Sequence, residues 1–195
     1  RWKYCTISGF YSFNNPIFVS LNGINADDAK RYTIDRKTTY PAGNDSNDGL
    51  SPEKAVRTMK KAYQLIKSSQ IGNNIIVIMG DYDQNIFNVF TDEQYKENNP
   101  DYFKKDKPAI ITGQYGNICN GKLLLRSTSC VIDADTRFEN LTVHGNNDYV
   151  RIMAQEHDIT FGHGMMMEQY STIEPGRGLI DGSLVPNISI YGGFK

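Results

Sequence analysis

The chain has 195 residues, 39% of them hydrophobic and 22% charged, with 21 basic against 22 acidic side chains and a formal net charge of −1. This is a globular composition, long enough for one sizeable core. The near-neutral charge argues against a nucleic-acid partner, whose phosphates call for a basic surface, and no run approaches the roughly 20 apolar residues that span a bilayer.

The first residues, Arg1-Trp2-Lys3-Tyr4-Cys5, carry no signal-peptide pattern and read as an internal start within a longer chain. Cys5, Cys119 and Cys130 are odd in number and widely spaced. That fits neither a disulfide framework nor a zinc site. Free thiols are expected, with a Cys119–Cys130 bridge as the alternative.

Residues 1–37 are the least regular part, an N-terminal extension. Ile17–Leu21 has the apolar character of a strand, and Ala26–Arg31 that of a helical turn. Residues 38–50 are rich in Gly, Asn and Asp and predict a loop. Ser51, Pro52 and Glu53 then look like the start of a helix. Ala55, Val56, Met59, Ala62, Tyr63 and Ile66 follow at helical spacing. The expectation is one amphipathic helix over 51–68, of about four to five turns.

Asn74–Gly80 is a dense apolar strand without alternation, which points to burial on both faces or to cover by the preceding helix. Residues 91–107 form a polar insertion with both signs of charge. Ala109–Gly113 and Lys122–Leu125 are further strands. In the last third a pattern recurs: Asn140-Leu141-Thr142-Val143, Asp158-Ile159-Thr160-Phe161 and Asn187-Ile188-Ser189-Ile190, at offsets of 18 and 29 residues. Tyr149–Ala154 and Leu179–Asp181 are short strands between the copies. Units this small cannot bury their own apolar faces, so they are expected to stack, like residue over like. Asn140, Asp158 and Asn187 would form a corner ladder. Leu141, Ile159 and Ile188, and Val143, Phe161 and Ile190, would point inward. Thr142, Thr160 and Ser189 would face outward, with His144 and Tyr191.

Ala42–Glu53, the segment Ala55–Ala62 after it, the turn Met79-Gly80-Asp81-Tyr82 and the stretch Thr136–Val143 together resemble the pectate-lyase-like right-handed parallel β-helix superfamily. The resemblance implies an all-β solenoid with an N-terminal capping α-helix at 51–68. Coils would occupy 73–195, interrupted at 91–107, in a single domain cut from a longer bacterial protein that is secreted or displayed at the cell surface. Members include polysaccharide lyases, glycoside hydrolases, epimerases, adhesins and phage tailspikes, most of them acting on carbohydrate. Because the last strand would leave an open apolar coil, the chain is expected to be a monomer or to make end-to-end contact there.

Two candidate sites follow. Asn44, Ser46 and Asp48, before Gly49, match the start of a calcium loop, although the twelfth position is Ala55 where an acid would close it. A turn leading into the helix is the plainer reading. On the outer face, His144 and Tyr191, with Arg151 and Glu156 from nearby strand residues of the next sheet, are placed to bind a sugar. A lyase would need an Arg or Lys base opposite calcium held by acids, and a hydrolase two converging carboxylates. Asp133, Asp135 and Asp158 lie in turn contexts, and His144, His157 and His163 fit no metal or triad motif. The expected function is therefore a surface module that binds carbohydrate or a surface partner without catalysis. The alternatives are the N-terminal part of a lyase or hydrolase, and a structural stalk.

Overall fold

The computed structural model describes residues 16–66, 74–83, 103–125, 129–145, 150–153, 157–168, 171–174 and 188–190. Within these, the elements in chain order are β1 (Ile17–Val19), α1 (Ala26–Tyr32), a 3-10 turn (Pro52–Lys54), α2 (Met59–Leu65), β2 (Ile75–Ile78) and β3 (Asp81–Asp83). They continue with β4 (Ala109–Thr112), β5 (Lys122–Leu125), β6 (Ser129–Val131), β7 (Thr136–Glu139), β8 (Thr142–Gly145) and β9 (Val150–Met153). The last are β10 (Ile159–Phe161), β11 (Met166–Glu168), β12 (Ser171–Glu174) and β13 (Ile188–Ile190). The fold is β-rich with few helices. The strands form three sheets, ordered β1-β2-β4-β7-β10-β13, β11-β8-β5-β3 and β12-β9-β6. Every strand pair in them is parallel. From β4 onward the chain visits the three sheets in turn, β4 to β5 to β6, then β7 to β8 to β9, then β10 to β11 to β12.

The six-stranded sheet shows why β2 and β4 lack polar alternation. On its inner face Ile17, Ile76, Ile111, Phe138 and Phe161 stack in register and belong to one buried cluster. On its outer face Phe18, Ile75, Val77 and Ile110 form a second cluster with Ile24, Ala29, Tyr32 and Ile118. The N-terminal segment, α1 included, thus covers the outer face of the first strands, and both faces of β2 and β4 are dry.

The single helix expected over 51–68 is not found. Pro52–Lys54 is a lone 3-10 turn, Ala55 leaves the helical region at ψ 144, and Val56 makes a parallel bridge with Val19. Val56 N–H donates to Phe18 O, and Ser20 N–H to Val56 O. The free edge of β1 offered backbone partners that a helix at Val56 would have left unmet. The chain passes so close here that a Cβ on Gly43 would lie 2.2 Å from Val56 O. Ser51 makes no side-chain cap bond. The helix that does form, α2, is capped by Thr58, whose hydroxyl accepts from Lys61 N–H. At its other end Lys107 Nζ donates to Tyr63 O and Ile66 O, meeting carbonyls that a helix end leaves open. Lys107 and the buried Lys105 are the described end of the charged insertion.

The expected ladder also changes register. Ile159 pairs with Ile188 as foreseen, but its other neighbour is Thr136, and Phe161 lies beside Phe138. The Asn140 copy belongs to the next sheet, where Thr142–Gly145 pairs with Lys122–Leu125 and, through Thr142–His144, with Met166–Glu168. Val143 is still inward, but next to Leu123 and not Phe161. Asn140 itself makes the corner between β7 and β8 at φ +45, away from Asp158, and Asn187 lies outside the described residues. Its N–H donates to His163 O and its carbonyl accepts from Gly113 N–H. Strands in both sheets share one alternation of apolar and hydroxyl residues, so the local pattern does not say which sheet a strand joins. Thr136 fits the inner ladder because its hydroxyl donates to Ala134 O.

Candidate functional site

A basic cleft opens where α1 meets the segment 114–120 and the outward side of β5 and β8. Asn25 starts α1 by accepting from Asp27 N–H and Asp28 N–H. Acids stand in its first turn and Lys30 and Arg31 in its last, as the helix dipole favours. Ala29 and Tyr32 are buried against the sheet, which turns Lys30 and Arg31 to the open side. Beyond the helix, Asp35 organises a turn. Its carboxylate accepts from Thr33 and Thr38 hydroxyls and from the N–H groups of Lys37 and Thr38. Arg36 sits in that turn at φ +61.

The opposite wall is stitched to the end of α1. Cys119 N–H donates to Tyr32 O at 2.9 Å, and Ile34 N–H to Asn117 O at 2.8 Å. Asn120, at φ +55, donates its amide to Arg31 O at 2.7 Å. The floor comes from the second sheet, where Asp81, Lys122 and Thr142 are register neighbours. Two adjoining cavities result. One, of about 300 Å³, is lined by Lys30, Arg31, Tyr32, Asn120, Lys122 and Thr142. The other, of about 230 Å³, shares Lys30, Arg31 and Asn120 and adds Arg36, Gln114, Cys119, Thr33 and Ile34. Cys119 is a free thiol, half-buried.

Among the described residues two groups have displaced acidity. Burial, and the hydrogen bond it donates to Asp81, hold the Tyr32 hydroxyl well above the ordinary phenol value. It is a donor at neutral pH and is unsuited to take a proton. The bonds from Thr38 and Lys37 hold Asp35 below the usual carboxylate range. A carboxyl whose folded value is depressed stabilises above its unfolded value, near 4, and loses that contribution as the pH falls further. Asp35→Asn is therefore expected to flatten the decline of Tm between about pH 5 and pH 2. Melts that fall in parallel for both proteins would show that the turn contributes nothing to acid sensitivity.

The residues expected to bind sugar are not brought together within what is described. His144 is half-buried on β8, beside Leu124 and Glu168 in register. Arg151 lies on β9 in the third sheet, paired with Ser129 and Thr172. Glu156 and Tyr191 fall outside the described residues. In the loop, Asn44 Oδ1 accepts from Ser46 N–H and Ser46 hydroxyl, and Asp48 Oδ1 from Leu50 N–H. Those oxygens make turn bonds. Asp45 ties the loop to α2 by accepting from Arg57 N–H, Thr58 N–H and Thr58 hydroxyl. Among the described residues no group of three or more His, Cys, Asp or Glu is placed to hold a metal. Asp135 accepts from Asp158 N–H in a turn, with His157 Nδ1 at 3.9 Å. No described helix is long and apolar enough to cross a membrane.

The cleft residues Lys30, Arg31, Arg36, Asn120 and Lys122 were not legible as a site. The one local signal is Lys30-Arg31-Tyr32-Thr33-Ile34-Asp35-Arg36-Lys37, with four cations against one acid in a chain of net charge −1. Comparison with protein families, with curated proteins and with solved structures returns no match for this chain.

Proposed function

We propose that the chain is a section of right-handed parallel β-helix, an all-β solenoid with α2 as its N-terminal cap, and that it serves a secreted or cell-surface protein by binding carbohydrate without catalysis. Support for the architecture comes from the parallel strands and from the regular passage of the chain through three sheets. The packing of Met59, Ala62 and Tyr63 from α2 into the same buried cluster as Ile17 and Val19 fits a cap at that end. The observation that carries the function is the cleft. Its two cavities together have the size of a small ligand site. The polar wall consists of cations, the amides of Asn120 and Gln114, and hydroxyls. These groups hold oxygen-rich ligands by donation.

A lyase fragment is the second reading, because Arg31 and Lys122 in one cleft are residue types that such an enzyme uses as a base. A single preparation separates the two. Titration calorimetry against a glycan panel is expected to give saturable binding. The same mixtures, followed for unsaturated-product absorbance and new reducing ends, are expected to stay unchanged. Turnover lost in Arg31→Gln would replace the binding reading with the lyase reading, and silence towards every glycan would remove both.

A further inference from the structure

We propose, resting on the carbohydrate reading of the cleft, that its ligand is a linear glycan bearing acidic groups on neighbouring units, held by direct contact with protein cations and without a bridging metal ion. Four cations line the two adjoining cavities. Lys122 belongs to one, Arg36 to the other, and Lys30 and Arg31 to the wall they share. The arrangement suits one acidic group in each cavity, with Arg31 able to fork onto either.

The surroundings favour anions for three further reasons. First, the end of α1 would ordinarily present carbonyl oxygens, the negative end of the helix, to this space. Three of those carbonyls are taken. Ala29 O accepts from Thr33, Arg31 O from Asn120 and Tyr32 O from Cys119 N–H. Second, no described carboxylate is among the residues that line either cavity. Asp81 accepts from Tyr32, and the exposed Asp35 is tied into the turn it organises. Third, among the described residues Lys30 pairs with Asp27, and both side chains are exposed, at 63% and 92%. Such a pair is weak and gives way to a better anion. The chain as a whole has no basic excess, so this concentration of cations is local.

Carboxylate, sulfate and phosphate share the chemistry that the cleft offers, and the probes separate them. Binding would be measured at 50 and 300 mM NaCl, with and without EDTA, for a polyuronate, dextran sulfate, inorganic polyphosphate and neutral dextran. At least one acidic glycan is expected to bind, to weaken about 10-fold at the higher salt and to ignore EDTA. Arg31→Gln and, separately, Arg36→Gln are expected to weaken it about 10-fold or more, and exposed Lys54→Gln to leave it unchanged. Circular dichroism would show that the variants remain folded. Neutral dextran bound as tightly as the acidic polymers would overturn the acidic ligand and leave the carbohydrate module standing. Binding abolished by EDTA would overturn direct recognition. Polyphosphate bound with no glycan bound would overturn the carbohydrate reading on which this rests, and silence towards all four probes would overturn both.

Discussion

Phe138→Ala is expected to lower the unfolding free energy by about 4 kcal/mol, the loss typical of a fully buried aromatic. Phe138 and Phe161 are register neighbours on β7 and β10, both with no exposed surface. Their rings stack with centroids 5.7 Å apart and planes 9° from parallel. The truncation removes transfer free energy, opens a cavity between two strands and ends the ring contact with Phe161. Because the strands on either side are held by backbone ladders, the walls can collapse little. Phe138→Leu, which keeps most of the volume, is expected to cost about 1.5 kcal/mol. Equilibrium urea unfolding at unchanged m-value would measure both. A loss below 1 kcal/mol for the alanine variant would mean that this ladder is not the core of the sheet.

The second large effect is electrostatic. Arg137 and Glu139 lie on the outer side of β7, where the N-terminal cover gives out, and Arg137 Nε donates to Glu139 Oε1. The glutamate side chain is only 4% exposed. Its Oε2 is buried and accepts no hydrogen bond. It lies across Gly162, where a Cβ would come within 2.6 Å of Glu139 Cγ. Removing the arginine strands a buried carboxylate, so Arg137→Met is expected to cost about 3 kcal/mol. Replacing both partners, as Arg137→Met with Glu139→Gln, removes the charge along with its counterion. The double variant is expected to recover most of that loss. A double variant no more stable than Arg137→Met alone would show that the arginine acts through packing of its stem, and not through the pair.

How much of this was legible beforehand depends on the range of the interaction. Ile17–Val19, Ala26–Tyr32, Ile75–Ile78, Ala109–Thr112 and Lys122–Leu125 were all marked by their own residues. The unbroken apolar run of β2 allowed burial on both faces as one of two readings, and that is the one found. The failures share one cause. Ser51–Ile66 has the spacing of a continuous helix, but Val56 found a better partner in the edge of β1, about forty residues earlier in the chain. The copies at Asn140 and Asp158 look alike because each strand of the fold needs the same inward and outward alternation. Only the pairing partners separate them. The Asn44–Gly49 loop was legible as a turn, but not Asp45's bonds across twelve and thirteen residues.

The candidate site divides the same way. His144 and Tyr191 were chosen from a local pattern, and patterns report which face a residue takes, not what it meets there. The cleft is made by residues 30–36, 114–120, 122 and 142, which no window of the chain contains together. Its chemistry depends on α1 lying over the outer face of the sheet.

The sequence by itself determined that this protein is built of short, parallel-competent strands with a dry interior, because apolar alternation and turn residues act over a few neighbours. The tertiary structure decided which strands are neighbours, where α2 begins and which cations share a cleft. Those outcomes depend on backbone groups and side chains distant in sequence, which find their partners only once the sheets have formed.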